Sequence, residues 1–209
     1  MLPARKIKNG MSGKIIGRFP TPKAASPVWW ESQLERDCLY HLHQCPTIEG
    51  ISGQPFRLPY VLDGRLRSYT PDFLVVGSYR QDVIEVKPQD KVNSTDFAHW
   101  HQAIEVALAN RGFGFVVMTD TEIRRQPLLD NLKWLYRFQY AHFEPEHCLQ
   151  VIRTIAGGAK TVRLAQLACA AIAISPDIVW YLISVGDLLV DLDQPLTPNT
   201  KLTIHKERK

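Results

Sequence analysis

Apolar residues at four-residue spacing, Trp30, Leu34, Cys38 and Leu42, predict a helix over residues 28–43 with one buried face, stopped by Cys45-Pro46. The pattern then changes to alternation. Residues 56–62 and 66–70 read as strands joined at Asp63-Gly64, a strong hairpin signal. Residues 71–76 read as a strand, 77–81 as its turn and 82–87 as the returning strand, ended by Pro88. Ser94 is a natural N-cap for a helix whose inner face is Phe97, Trp100, Ile104 and Leu108. The apolar run 113–119 predicts a buried strand, and Pro127 opens a further helix through Leu128, Leu132, Leu135 and Phe138. The order α-β-β-β-α-β-α describes an α/β domain over residues 28–143. It is preceded by a Gly- and Pro-punctuated extended arm, 1–27. Beyond Pro145 three short helical patterns precede two short strands near 188–192 and 201–205, which predicts a winged-helix domain over 145–209.

Composition narrows the class. With 45% hydrophobic and 22% charged residues in 209, the chain can bury a real core, which excludes a disordered chain or a disulfide-dependent miniprotein. No apolar run is long enough to cross a bilayer, no apolar segment follows the basic N-terminus, and the four cysteines lack zinc spacing. A cytoplasmic protein with reduced, packed thiols is expected. The net charge of +4 is uneven: residues 1–30 carry Arg5, Lys6, Lys8, Lys14, Arg18 and Lys23 and no carboxylate. A cationic arm suits phosphate neutralisation on DNA, although a solubilising terminus has the same composition.

The candidate chemistry lies in Pro71-Asp72, twelve residues, then Glu85-Val86-Lys87. Period-two geometry places Glu85 and Lys87 on one face of a strand. If strands 73–76 and 82–87 pair, Asp72 arrives beside that face. Two carboxylates brought together favour a divalent cation, and an oxygen-only donor set suits Mg²⁺, with Mn²⁺ as substitute. The Val86 carbonyl is a further candidate ligand, and Lys87 a candidate to orient the attacking water. Glu31 and Glu35 share a face of the first helix, so either could approach the same site. The pairs His41/His43 and His99/His101 have i, i+2 spacing, which separates the rings on a helix and predicts packing instead of metal binding.

The hairpin, helix and strand around these residues resemble the PD-(D/E)xK nuclease core, a restriction-endonuclease-like fold. Within it, the segments 30–37, Gln54-Pro55-Phe56, Tyr69-Thr70-Pro71-Asp72-Phe73, Glu85-Val86-Lys87-Pro88 and 131–136 resemble the TnsA family of transposon endonucleases. That resemblance singles out Glu35, within Ser32-Gln33-Leu34-Glu35, as the helical acid. It implies a heteromeric transposase in which the TnsA-type subunit cuts the non-transferred strand at the 5′ ends of the element. A TnsB-like transposase would process the 3′ ends, and a TnsC-like ATPase would contact the C-terminal region. Only Arg153, Lys160 and Arg163 are basic in residues 145–200, and acids outnumber them, which favours protein docking there over strong DNA binding. A restriction or repair nuclease on the same fold and a non-catalytic DNA-end adapter are the alternative readings.

Overall fold

The computed structural model describes residues 15–205, so Arg5, Lys6, Lys8 and Lys14 of the basic arm lie outside the described residues. The chain divides into two units between Arg125 and Gln126.

In the first unit, β1 (Gly17–Phe19) pairs antiparallel with β2 (Val28–Trp30). Residues 28–30 are therefore strand where helical spacing was expected. Val-Trp-Trp is β-prone, and Val28 and Trp30 bury the same face. Helix α1 (Gln33–Gln44) starts only after Ser32, whose Oγ accepts from the Glu35 N–H at 3.1 Å. Strand β3 (Ile48–Gly53) follows. The hairpin of β4 (Leu58–Leu62) and β5 (Arg65–Tyr69) then turns through Asp63 and Gly64, at φ 53° and 70°. Both residues take the left-handed conformation that a tight two-residue turn requires. Next come β6 (Phe73–Gly77), β7 (Gln81–Lys87), α2 (Gln89–Val92), α3 (Thr95–Ala109), β8 (Gly114–Thr119) and α4 (Asp120–Ile123).

Four of these strands form the central sheet in the order β3-β6-β7-β8, antiparallel except for the parallel β7–β8 pair. This mixed α/β arrangement fits a restriction-endonuclease-like fold. The β4–β5 hairpin is a separate two-stranded sheet, and its Leu58, Tyr60 and Tyr69 share a core with Ile104 and Leu108 of α3. Strand β8 is only half-buried except at Thr119, where a buried strand was expected, because it is an edge with β7 on one side only. At the other end of β6, Gly77 is required by close approach: a Cβ there would stand 2.8 Å from the Thr47 carbonyl oxygen.

The second unit contains α5 (Leu128–Tyr136), α6 (Pro145–Ala156), α7 (Val162–Ala171), α8 (Asp177–Ser184), β9 (Leu188–Leu189) and β10 (Thr203–Ile204). Its core gathers Leu135, Val151, Ile155, Val162, Ile178 and Leu182. Because Leu135 belongs to that core, α5 groups with the second unit, whereas the hydrophobic pattern assigned it to the nuclease domain ending near 143. Asn131 of α5 is buried, and its Nδ2 donates to the carbonyls of Leu192 (2.9 Å) and Gln194 (2.8 Å). Strands β9 and β10 pair antiparallel, and a lone bridge joins Thr161 to Lys201. No helix among the described residues is long and apolar enough to cross a membrane.

Candidate active site

The alternation of β7 decides which groups enter the site. Val83 and Glu85 are buried on one face, and Lys87 follows two residues later on the same face at the strand's end. Phe73 pairs with Ile84 across the hairpin, which sets Asp72 beside the end of β7. There the Val86 N–H donates to Asp72 Oδ2 at 2.8 Å. The Val86 amide hydrogen thus holds Asp72 in place.

Glu85 is 3% exposed, and both its oxygens are engaged. Oε2 accepts from the Tyr69 hydroxyl at 2.5 Å, and Oε1 is ion-paired with Lys87 Nζ. Burial and the Glu85 charge hold the Tyr69 phenol far above its usual value, so it remains a hydrogen-bond donor. Burial alone would lower Lys87, but Glu85, with Asp72 and Glu35 behind it, outweighs burial and raises its pKa. Lys87 is therefore an ammonium at neutral pH.

Helix α1 brings in Glu35. Its Oε2 accepts from the Glu31 N–H at 2.7 Å, and its carboxyl is raised above the ordinary value by burial, with those local hydrogen bonds pulling it back. Burial also pushes Asp72 well above the ordinary carboxylate value, and the charges of Glu85 and Glu35 push the same way. Asp72 therefore feels the charges of both Glu85 and Glu35, and Lys87 is the common counter-charge. Glu35, Asp72, Glu85 and Lys87 all come to this one end of the sheet.

Among the described residues no three His, Cys, Asp or Glu side chains stand as a ready metal cluster. The donor chemistry nevertheless fits Mg²⁺ or Mn²⁺. Asp72, Glu85 and Glu35 offer hard oxygens, and the mutual repulsion that raises Asp72 is what a divalent cation would relieve.

Other sequence candidates are placed elsewhere. Arg18 is exposed on β1, with its guanidinium 4.3 Å from the centre of the Trp29 ring. Lys23 is half-buried, and its ammonium donates to the Cys45 carbonyl at 2.6 Å, so it caps the C-terminus of α1. His41 donates to the Ile123 carbonyl (2.7 Å), and buried His43 shares a hydrogen bond with Thr21 (3.0 Å), which makes both structural. Arg124 pairs with buried Asp37 at 3.2 Å.

Two residues at the site were not assigned roles from the sequence. Tyr69 reads as an ordinary core aromatic, and only the hairpin geometry turns its hydroxyl toward Glu85. Gln54 lies between β3 and β4; its N–H donates to the Asp72 carbonyl at 2.9 Å and its Nε2 to Glu31 Oε1 at 3.0 Å. Its φ of 45°, in the left-handed region, is a local mark that only the folded backbone carries.

No curated protein matches the chain at a significant level. Residues 45–120 match the family described as TnsA-like endonuclease N terminal, a span that holds Asp72, Glu85 and Lys87 and leaves Glu35 just upstream. Over that segment the chain is similar to TnsA-type endonucleases.

Proposed function

We propose that this chain is the metal-dependent DNA endonuclease subunit of a heteromeric transposase, cleaving the non-transferred strand at the 5′ ends of its element. The observation that carries the reading is the convergence of Glu35, Asp72, Glu85 and Lys87 at one end of a restriction-endonuclease-like sheet. Asp72 and Glu85 would hold Mg²⁺, which supplies charge stabilisation at the phosphate. The Lys87 ammonium donates to the attacking water, lowers its pKa and sets it in line with the scissile bond. Glu35 accepts a proton from that water or orients it. Tyr69 keeps Glu85 in one rotamer throughout. Hydrolysis leaves a 3′-hydroxyl and a 5′-phosphate.

The C-terminal unit supports a winged-helix assignment through helices α6, α7 and α8, the β9–β10 pair and the Thr161–Lys201 bridge. We assign it to docking of a TnsC-like ATPase, since Leu149, Leu164, Leu167 and Ile172 are exposed apolar side chains in a segment poor in cations. Double-stranded transposon ends and a TnsB-like transposase complete the partner set, with the arm cations Arg5, Lys6, Lys8, Lys14 and Arg18 on the DNA backbone.

The test is strand-specific cleavage of a labelled transposon end with TnsB- and TnsC-like partners and Mg²⁺. Asp72→Ala should cut at least roughly 10³-fold more slowly while its melting curve stays cooperative. Lys87→Ala should still bind Mn²⁺ but lose most of the rate. Wild-type cleavage by the Asp72 variant would remove the assignment.

A further inference from the structure

Glu35 and Asp72 come from different elements, and one side chain links the two. Gln54 donates its backbone N–H to the Asp72 carbonyl (2.9 Å) and its Nε2 to Glu31 Oε1 (3.0 Å), and the Glu31 N–H in turn donates to Glu35 Oε2 (2.7 Å). Three hydrogen bonds therefore run from the helical acid to the strand acid through Gln54. To make them Gln54 takes φ of 45°, a conformation non-glycine residues rarely adopt and one that persists where the surroundings over-determine it. The remaining polar atom of the same side chain, Oε1, is buried with no hydrogen-bond partner among the described residues. A buried acceptor without a donor costs free energy unless something brings the donor. Both features are unfavourable for folding alone, and they coincide in one residue at the site.

We propose that Gln54 is a positioning residue of the nuclease centre. It fixes Glu35 relative to Asp72 through Glu31, and its Oε1 accepts a hydrogen bond from a water in the hydration shell of the divalent cation. The inference rests on the metal-nuclease reading above and adds to it a residue outside the Asp72-x₁₂-Glu85-x-Lys87 pattern. An outer-shell partner of this kind typically governs metal affinity by about 10–100-fold.

The experiment is Mn²⁺ titration of the full chain followed by thermal unfolding, comparing wild type with Gln54→Leu and Gln54→Asn. Asparagine tolerates the left-handed backbone well, so Gln54→Asn guards against a variant that merely fails to fold, while its shorter side chain withdraws the amide. Without metal, Gln54→Asn should melt at or above the wild-type temperature. With Mn²⁺, both variants should need about tenfold more cation for the same stabilisation. A purely structural residue would not give that opposition of signs. Wild-type Mn²⁺ affinity in Gln54→Asn overturns the role of Gln54 and leaves the nuclease reading standing. No Mn²⁺ stabilisation of the wild type at millimolar concentration overturns the metal site itself, and the Gln54 role with it.

Discussion

In the C-terminal unit the fully buried side chains include Val151, Val162, Ile178, Leu182 and Leu188, and the buried amide among them, Asn131, has both its hydrogens and its oxygen engaged by backbone near residues 192–196. The first unit buries Asp37, His43 and Glu85 and half-buries Asp72, Glu35 and Lys87. Burying ionisable groups lowers stability, and Asp72 and Glu35 show it as carboxyls raised by burial, with the charges of Glu85 and Glu35 adding to the rise at Asp72. The second unit has the composition expected of a scaffold or docking module. The first tolerates unfavourable electrostatics at one end of its sheet, which is characteristic of a site kept for chemistry.

The contrast can be broken by mutation. Ile178→Ala should cost the second unit about 2–5 kcal/mol, measured by urea unfolding, because it empties a fully enclosed position. A cost below about 1 kcal/mol would mean that this core is loosely packed and the contrast weaker. The next effect belongs to the first unit. Burial, with Lys23 nearby, lowers the His43 pKa from 6.5 to about 4, so the unfolded chain binds a proton there that the folded one refuses. Stability should therefore fall as pH drops from about 6.5 toward 4, by up to about 3 kcal/mol. A pH series of unfolding midpoints, flattened in His43→Gln, checks this. A site substitution should act in the opposite sense. Above its ordinary value Asp72 still holds a proton in the folded state that the unfolded state has lost, so stability falls as pH rises through that window. Asp72→Asn removes the penalty, keeps an acceptor for the Val86 N–H, and should stabilise the metal-free protein by about 1 kcal/mol near pH 7 while abolishing cleavage. Destabilisation instead would make Asp72 a structural carboxylate. The smallest effect is expected at Ser32→Ala, about 0.5–1 kcal/mol from the lost N-cap, with a modest loss of rate as the first turn carrying Glu35 frays.

Much of the site was legible because strands alternate. Spacing placed Glu85 and Lys87 on one face, and Asp72 beside them on condition that the two strands paired, as β6 and β7 do; Asp63-Gly64 announced its turn. Glu35 needed the family resemblance, since helical spacing alone did not separate it from Glu31. What the sequence hid depended on distant pairing. The β3 segment Ile-Glu-Gly-Ile-Ser-Gly has two glycines and no convincing alternation, and pairing with β6 makes it a strand. Val28–Trp30 obeyed a helical spacing by coincidence, and its partner β1 decided otherwise. Tyr69 and Gln54 lie in segments that carry the family resemblance, but their roles are contacts to Glu85, Glu31 and Asp72, made only once the chain has closed.

The turn between β6 and β7 has exposed Ser78, Tyr79 and Arg80 at its tip, which by exposure alone would be free to vary. Its length is constrained nonetheless. Glu85 and Lys87 face the site because the turn sets the register that pairs Phe73 with Ile84, and a strand that slips by one residue turns every side chain to the other face. Losing or gaining one residue in this turn would turn both groups to the opposite, likewise buried face of the sheet and bring Ile84 and Val86 to the site, unless a bulge absorbed the change. Natural variation here should therefore appear as substitution, or as changes of two residues at a time. Parity of the turn, more than its identity, is the inherited quantity.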